Sequence, residues 1–261
     1  MRLGKRILTV DRGNSITKFA IFEDGGIKRK AMLDNDSLKE MAGLPEEWAA
    51  TDVMVASSGY LPKNLLDSWE KLPNVRLLVL DETLSLPVDF SAYDVSTLGR
   101  DRIAAACGAE YLYPRKSVLI ADAGTALTLD VLEEGRAFKG GNISPGLKLR
   151  FEALHNHTAA LPLVSENGET PLWGFDTPTA IRSGVVNGIV YEIYLSLVKA
   201  ATSDDCELLL MTGGDVGFLY PLLKEAIGQN PIEKKITAEC QPNLVAYGLY
   251  NIFNYNEKNK I

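Results

Sequence analysis

Cysteine is scarce in this sequence. Its 261 residues hold three, Cys107, Cys206 and Cys240, widely spaced and never paired as Cys-x-x-Cys. That excludes a disulfide framework and gives no support to a zinc site. Histidine is scarcer still. His155 and His157 are the only two, and with no acidic partner close in sequence they are weak ground for a metal or nuclease centre. Clustered positive charge is missing too. Lys and Arg number 27 against 34 Asp and Glu, a net charge of −7. The short runs Lys28-Arg29-Lys30 and Lys234-Lys235 read as solvated edges. Binding a nucleic acid requires a Lys/Arg excess that neutralises phosphates, so no nucleic-acid partner is expected. A locally positive site for a small anion is still compatible with that balance. No run approaches the ~20 apolar residues of a membrane span. The apolar stretch behind Arg2, Lys5 and Arg6 breaks at Asp11, too short for a signal peptide. The expectation is therefore no membrane and a reducing, cytoplasmic setting.

What the chain does have is one motif written twice. Leu-Thr-Val-Asp11-Arg12-Gly13-Asn14-Ser15-Ile16-Thr17-Lys18 is matched by Leu-Ile-Ala-Asp122-Ala-Gly124-Thr125-Ala-Leu-Thr128-Leu. In each copy an apolar run precedes Asp-x-Gly, and alternating residues follow it to an acidic-Gly turn, Glu23-Asp24-Gly25 or Glu133-Glu134-Gly135. That pattern predicts a β-hairpin with Asp-x-Gly at its tip. One such tip is ordinary turn chemistry. Two in matched contexts suggest related half-molecules facing each other across a cleft. Each tip would offer a carboxylate, a hydroxyl or amide, and N–H groups freed by the Gly, which suit a metal-bound polyphosphate.

Length and composition, with 46% hydrophobic and 23% charged residues, fit a soluble globular chain of one large or two ordinary domains. Strands are expected at 7–10, 17–22, 52–58 and 75–80, and helices from Asp36-Ser37, over 65–72, and over 102–113 up to Pro114. A second unit opens at Lys116 with strands at 118–121, 126–132 and 136–143. A helix from Pro145-Gly146, a polar loop at 163–174 and a long helix at 178–201 come next. A strand at 207–211 and helices at 215–227 and 243–253 complete it, with a frayed polar tail from Asn254. Strands alternating with helices predict an α/β architecture. The expected division is 1–115 and 116–261.

Four further pieces stay open on chemistry alone. In Gly99-Arg100-Asp101-Arg102, Asp101 reads equally as a helix N-cap or as a carboxylate that takes a proton from a hydroxyl. The flanking arginines could grip a carboxylate or phosphate. Lys139-Gly-Gly-Asn-Ile-Ser-Pro-Gly146 could let backbone approach a ligand or simply crowd a junction. Thr212-Gly-Gly-Asp215 could admit a nucleotide base or be a plain strand-to-helix turn.

Taken in order, these pieces resemble the type III pantothenate kinases, within the acetate and sugar kinase, Hsc70 and actin superfamily. The match runs through Asp11-x-Gly-Asn-Ser-x-x-Lys18, Gly99-x-Asp-Arg102, Asp122-x-Gly-Thr125 and Gly140-Gly-x-Ile-x-Pro-Gly146. It continues through Thr158-Ala-x-Leu-Pro162, Thr177-x-x-Ala-Ile181 and Thr212-Gly-Gly-Asp215. The resemblance implies two ribonuclease H-like, actin-like ATPase domains. It implies that Asp11 to Lys18 form an ATP phosphate loop, with Asp11 near a divalent ion such as Mg²⁺, and that Thr125 also touches ATP. It makes Asp101 the general base on pantothenate, with Tyr93, Gly99, Arg100, Arg102 and Thr177 lining the substrate pocket. Thr177 is chosen over Thr179 on its spacing to Ile181. Asp122 would hold a monovalent cation, K⁺ or NH₄⁺. The family is dimeric, so a homodimer is implied, with the Ala-rich helix after Arg102 and the second unit at its contact. A non-catalytic Bvg-type accessory factor of the same lineage is the alternative. An actin-like ATPase or polyphosphatase, which hands phosphate to water, is a third reading.

Overall fold

The computed structural model describes residues 5–230 and 236–259; Arg2 and the Lys234-Lys235 pair lie outside them. In chain order the elements begin β1 (Ile7–Arg12), β2 (Ile16–Glu23), β3 (Gly26–Asp34), α1 (Leu38–Glu47), β4 (Asp52–Ser57), α2 (Lys63–Glu70), β5 (Arg76–Val79) and α3 (Arg100–Leu112). They continue β6 (Val118–Ala123), β7 (Ala126–Glu133), β8 (Ala137–Pro145), α4 (Leu147–Asn156) and α5 (Thr177–Ser203). The chain closes with β9 (Leu208–Thr212), α6 (Val216–Gln229), β10 (Thr237–Cys240) and α7 (Leu244–Lys258).

The chain forms two units, one running to Tyr113 and resuming at Asn243, the other spanning Pro114–Pro242. Their five-stranded sheets have the same topology, β3-β2-β1-β4-β5 and β8-β7-β6-β9-β10. In each, an antiparallel hairpin joins a parallel strand pair through the central strand, β1 or β6. The repeat extends to detail. The acidic-Gly turns both have positive φ at two successive residues, Asp24-Gly25 and Glu134-Gly135, as a tight right-twisted hairpin requires. Both second strands shift register at the same place, between Ile21 and Phe22 and between Val131 and Leu132. β1 and β6 are buried along their apolar run and loosen only at Asp11 and Asp122. Each sheet is closed by its own core. Leu8, Val10, Phe19, Trp48 and Trp69 pack in the first, and Leu119, Val186, Ile189, Ile193 and Met211 in the second. The 27-residue α5 is apolar and long enough to cross a membrane on length and composition, which the sequence reading did not anticipate. Its inward face supplies much of the second core.

Two placements differ from the sequence expectation. The last helix was expected within the second unit, but α7 packs along α3 of the first. The reason is a backbone-to-backbone fit. A Cβ on Gly248 would lie 1.7 Å from the Ala104 carbonyl oxygen, and one on Gly108 would lie 2.2 Å from that of Leu244. Ala104, Ala105 and Ala106 are fully buried there, so these alanines pack within their own unit and leave no small-residue face for a second copy. The tail is also not frayed from Asn254. α7 continues to Lys258, tied by Asn256, whose side chain accepts from the Ser85 N–H at 3.0 Å and donates to its carbonyl at 2.8 Å.

The close helix crossing makes a sign-reversing expectation. Gly→Ala in a helix usually stabilises, by about 1 kcal/mol. Gly248→Ala is expected instead to destabilise by about 1–3 kcal/mol, because the methyl meets backbone that has no room to yield. Urea unfolding of the two proteins measures this; equal or higher stability in the variant contradicts the packing.

Candidate active site

The first tip is carried by β1 and β2, with Asp11 paired across the hairpin to Lys18. Asn14, Ser15, Ile16 and Lys18 are exposed. The Gly13 N–H closes the tip on the Ile16 carbonyl at 3.1 Å. Two residues expected at the ATP side turn inward. Thr17 is fully buried and Arg12 nearly so. The Arg12 guanidinium donates to the Tyr60 carbonyl (3.1 Å), to Thr17 Oγ1 (3.3 Å) and to the Asn35 carbonyl (3.4 Å). Their side chains therefore hold the hairpin's shape, and only their backbone is left for a ligand. Asn35, which no sequence signal singled out, bonds to the same tip.

Burial raises the Asp11 pKa to about 6; the Lys18 ammonium opposes this and the Asp101 carboxylate adds to it. The first unit thus brings Asp11, Lys18 and Asp101 into one electrostatic neighbourhood. Asp101 is not the N-cap of α3. That position is Gly99, which makes no side-chain cap. Asp101 lies in the first turn, where the helix dipole favours a carboxylate, and its Oδ1 accepts the Arg102 N–H at 2.9 Å. Gly99 makes room for it, since a Cβ there would sit 2.5 Å from that same Oδ1. Arg102 is buried, its guanidinium 5.6 Å from the centre of the Tyr93 ring, so those two expected pocket residues are adjacent. Arg100 turns elsewhere. Its guanidinium lies 3.6 Å from Glu82 and lines a cavity of about 300 Å³ with Leu80, Asp81, Leu84 and Asp94.

In the second unit Asp122 occupies the strand position that Asp11 has in the first, facing Thr128 and Thr212 in register. The tip beyond it is shorter, Gly124-Thr125 against Gly13-Asn14-Ser15, and Thr125 is exposed. Two glycines build its surroundings. Gly213, at φ +100°, would place a Cβ 2.2 Å from the Ala123 carbonyl oxygen and 2.5 Å from Asp122 Oδ1. Gly146 would place one 2.0 Å from the Gly124 carbonyl oxygen. The Gly-rich segments therefore serve close backbone approach to the second tip. Nearby, burial raises the Asp215 pKa, and the Glu166 charge adds to it. At the start of α5, the Thr179 hydroxyl is taken up in a reciprocal cap with Asp176, whereas Thr177 is exposed.

Among the described residues no three His, Cys, Asp or Glu side chains gather around a metal position. A single carboxylate still fits a magnesium ion that arrives with a nucleotide, because Mg²⁺ keeps waters and phosphate oxygens and takes only one or two protein carboxylates. Asp11 has that character.

The fold is that of the sugar-kinase and actin-like ATPase class. The ROK hexokinase of Thermus thermophilus superposes with a TM-score of 0.57 at 12% identity, over 97% of this chain and 99% of that one. A Campylobacter jejuni protein assigned to the Baf family of transcriptional activators superposes at 0.59 and 21% identity, over 96% and 99%. At those identities the likeness is one of fold alone. Sequence narrows it. The profile of type III pantothenate kinases matches residues 7–198. The type III pantothenate kinase of Flavobacterium johnsoniae is 37% identical, over 86% of this chain and 92% of its own. That of Phocaeicola vulgatus is 35% identical over 96% and 99%. This chain belongs to the type III pantothenate kinase family.

The Asp11 environment generates a pH expectation. Its folded pKa lies above the unfolded value near 4, so the folded state holds the proton more tightly. This contribution to stability is full below about pH 4 and lost as pH rises through about 6. Asn cannot ionise. Without nucleotide or divalent metal, Asp11→Asn is expected to be more stable than the parent at pH 7, by up to roughly 3 kcal/mol, with the gap closing toward pH 4. Urea unfolding at the two pH values reads it; a less stable variant at pH 7 contradicts the buried-charge account.

Proposed function

We propose that this chain transfers the γ-phosphoryl group of ATP to the primary hydroxyl of pantothenate, giving 4′-phosphopantothenate, the first step of coenzyme A synthesis. The observation that carries the reading is the meeting of Asp11, Lys18 and Asp101 in one unit of a chain of this family. The Asp11–Lys18 tip receives the phosphates, and Asp11 holds Mg²⁺, which when bound supplies charge neutralisation at the transferring group. Asp101 accepts the hydroxyl proton as the new O–P bond forms and the bond to ADP breaks. The buried Arg102 guanidinium is a natural partner for the pantothenate carboxylate, with Tyr93 and Gly99 beside it. Arg100, whose side chain turns to Glu82, would offer only its backbone, and the exposed Thr177 is a separate candidate substrate contact. Thr125 is assigned to ATP, and Asp122 to K⁺ or NH₄⁺, which offsets a second carboxylate near a triphosphate. The setting is the cytoplasm. ADP release at saturating ATP tests the reading. It is expected to depend on pantothenate; release that is indifferent to it points to hydrolysis instead. A regulator of the same lineage would need no base at position 101 and would release nothing.

Asp101→Asn preserves size while removing the proton acceptor, and is expected to lower kcat by about 10²–10⁴-fold with the melting temperature unchanged. Retention of a third or more of the parent rate removes Asp101 from the base role. Replacing potassium by tetramethylammonium at fixed ionic strength is expected to abolish most activity. An unchanged rate leaves Asp122 as a turn residue or a divalent ligand.

A homodimer is part of the proposal. The outward side of α5 supports it, with Tyr191 and Leu195 exposed beside Gly184 and Gly188, where an added Cβ meets nothing. Ile143, Trp173 and Phe175 are also exposed. Sedimentation at working concentration is expected to give twice the chain mass; a fully active monomer contradicts it.

A further inference from the structure

A backbone loop that receives a polyphosphate must show N–H groups and hide carbonyls, since each carbonyl oxygen turned toward phosphate repels it. The first tip has three residues outside its strands, Gly13, Asn14 and Ser15, and so three carbonyls to dispose of. One residue takes them all. Asn35 Nδ2 donates to the Gly13 carbonyl at 2.9 Å and to the Asn14 carbonyl at 3.0 Å. The Asn35 backbone N–H donates to the Ser15 carbonyl at 3.0 Å. Among the described residues, the N–H groups of Asn14 and Ser15 donate to no acceptor.

The orientation of that amide is imposed from behind. The Thr17 hydroxyl donates to Asn35 Oδ1 at 2.7 Å, which fixes which end is oxygen and which is nitrogen. Thr17 can donate there because it accepts from Arg12 Nη1 at 3.3 Å, and a guanidinium has donors only. Proton donation therefore runs one way, from buried Arg12 through buried Thr17 and Asn35 to the tip carbonyls, each bond polarising the next. Around the second tip the donors are backbone N–H groups. The Gly146 N–H covers the Thr125 carbonyl at 3.0 Å, and the Asp215 N–H covers the Ala123 carbonyl at 2.9 Å.

We propose that Asn35 is a positioning residue for phosphate binding, holding the Gly13–Ser15 carbonyls away from the ligand so that the tip presents N–H groups to ATP. This rests on the reading of the first tip as a phosphate loop. Asn35 acts through the backbone and does not itself touch the nucleotide. Its loss therefore weakens nucleotide binding and leaves pantothenate recognition alone.

The test compares the parent with Asn35→Ala and Thr17→Val. Calorimetric binding of a non-hydrolysable ATP analogue with Mg²⁺ is measured alongside KM for ATP, KM for pantothenate and kcat. For Asn35→Ala, a rise of about tenfold in the analogue Kd and in KM for ATP is expected, the worth of one oriented hydrogen bond. KM for pantothenate and kcat at saturating ATP should stay within about twofold of the parent. Thr17→Val, which removes only the buried hydroxyl that orients the amide, is expected to shift the same two quantities by about threefold. If Asn35→Ala fails to fold by circular dichroism, Thr17→Val decides, and an unchanged KM for ATP there overturns the proposal. Equal shifts in both KM values, or none, also overturn it, since a merely structural residue would act so. Analogue binding to the parent separates the two levels. Binding by the parent with indifferent variants removes Asn35's part alone. No binding by the parent refutes the phosphate reading of the tip and this inference with it.

Discussion

A carboxylate at the end of a buried central strand is the constraint around which each unit is arranged. Asp11 follows the fully buried run of β1, and Asp122 follows that of β6. Placing a charge there is costly, and the raised pKa of Asp11 is the visible sign of that cost. At Asp11 the Lys18 ammonium offsets part of that cost, and a cation arriving with a ligand would offset more. Everything local serves to keep the carboxylate in that position. The hairpin puts it beside a turn, Lys18 stands across from it, and glycines clear the space on the second copy.

The two units solve this problem with the same sheet, the same tight turns and the same register shift, yet not with the same tip. The first tip is longer, carries the lysine and relies on side chains, Arg12, Thr17 and Asn35, to set its carbonyls. The second is shorter and is held by backbone from β8–α4 and β9–α6. The repeat thus keeps its frame while its tips diverge. In the first unit α3 carries the Asp101 carboxylate in its first turn, in the electrostatic neighbourhood of Asp11.

Much of this was legible in the sequence, and the exceptions have physical reasons. The hairpins could be read because period-two alternation and an acidic-Gly turn are local signals. β3 could not, because its Lys28-Arg29-Lys30 run looks solvated; it is an edge strand, where exposed lysines are usual. The apolar spacing of α7 tells which face is buried but not against what, and its partner α3 lies more than a hundred residues earlier. The inward turn of Arg12 was hidden because a motif gives the order of residues, not the strand face each one occupies. Asn35 was invisible for a similar reason. Locally Asn-Asp is a turn signal, and its bonds to Gly13 and Asn14 span more than twenty residues. Thr177 was chosen over Thr179 on spacing to Ile181 alone; the cap that engages the Thr179 hydroxyl depends on Asp176 and was not read from the sequence.

The central claim is that phosphate leaves ATP for a carbon-bound hydroxyl of pantothenate and not for water. Phosphorus NMR of the protein with ATP, Mg²⁺, K⁺ and pantothenate observes the fate of that phosphorus directly. The expected result is a phosphomonoester signal, split by the adjacent methylene protons, growing in step with loss of the ATP γ-signal. Growth of inorganic phosphate with no monoester would contradict the account.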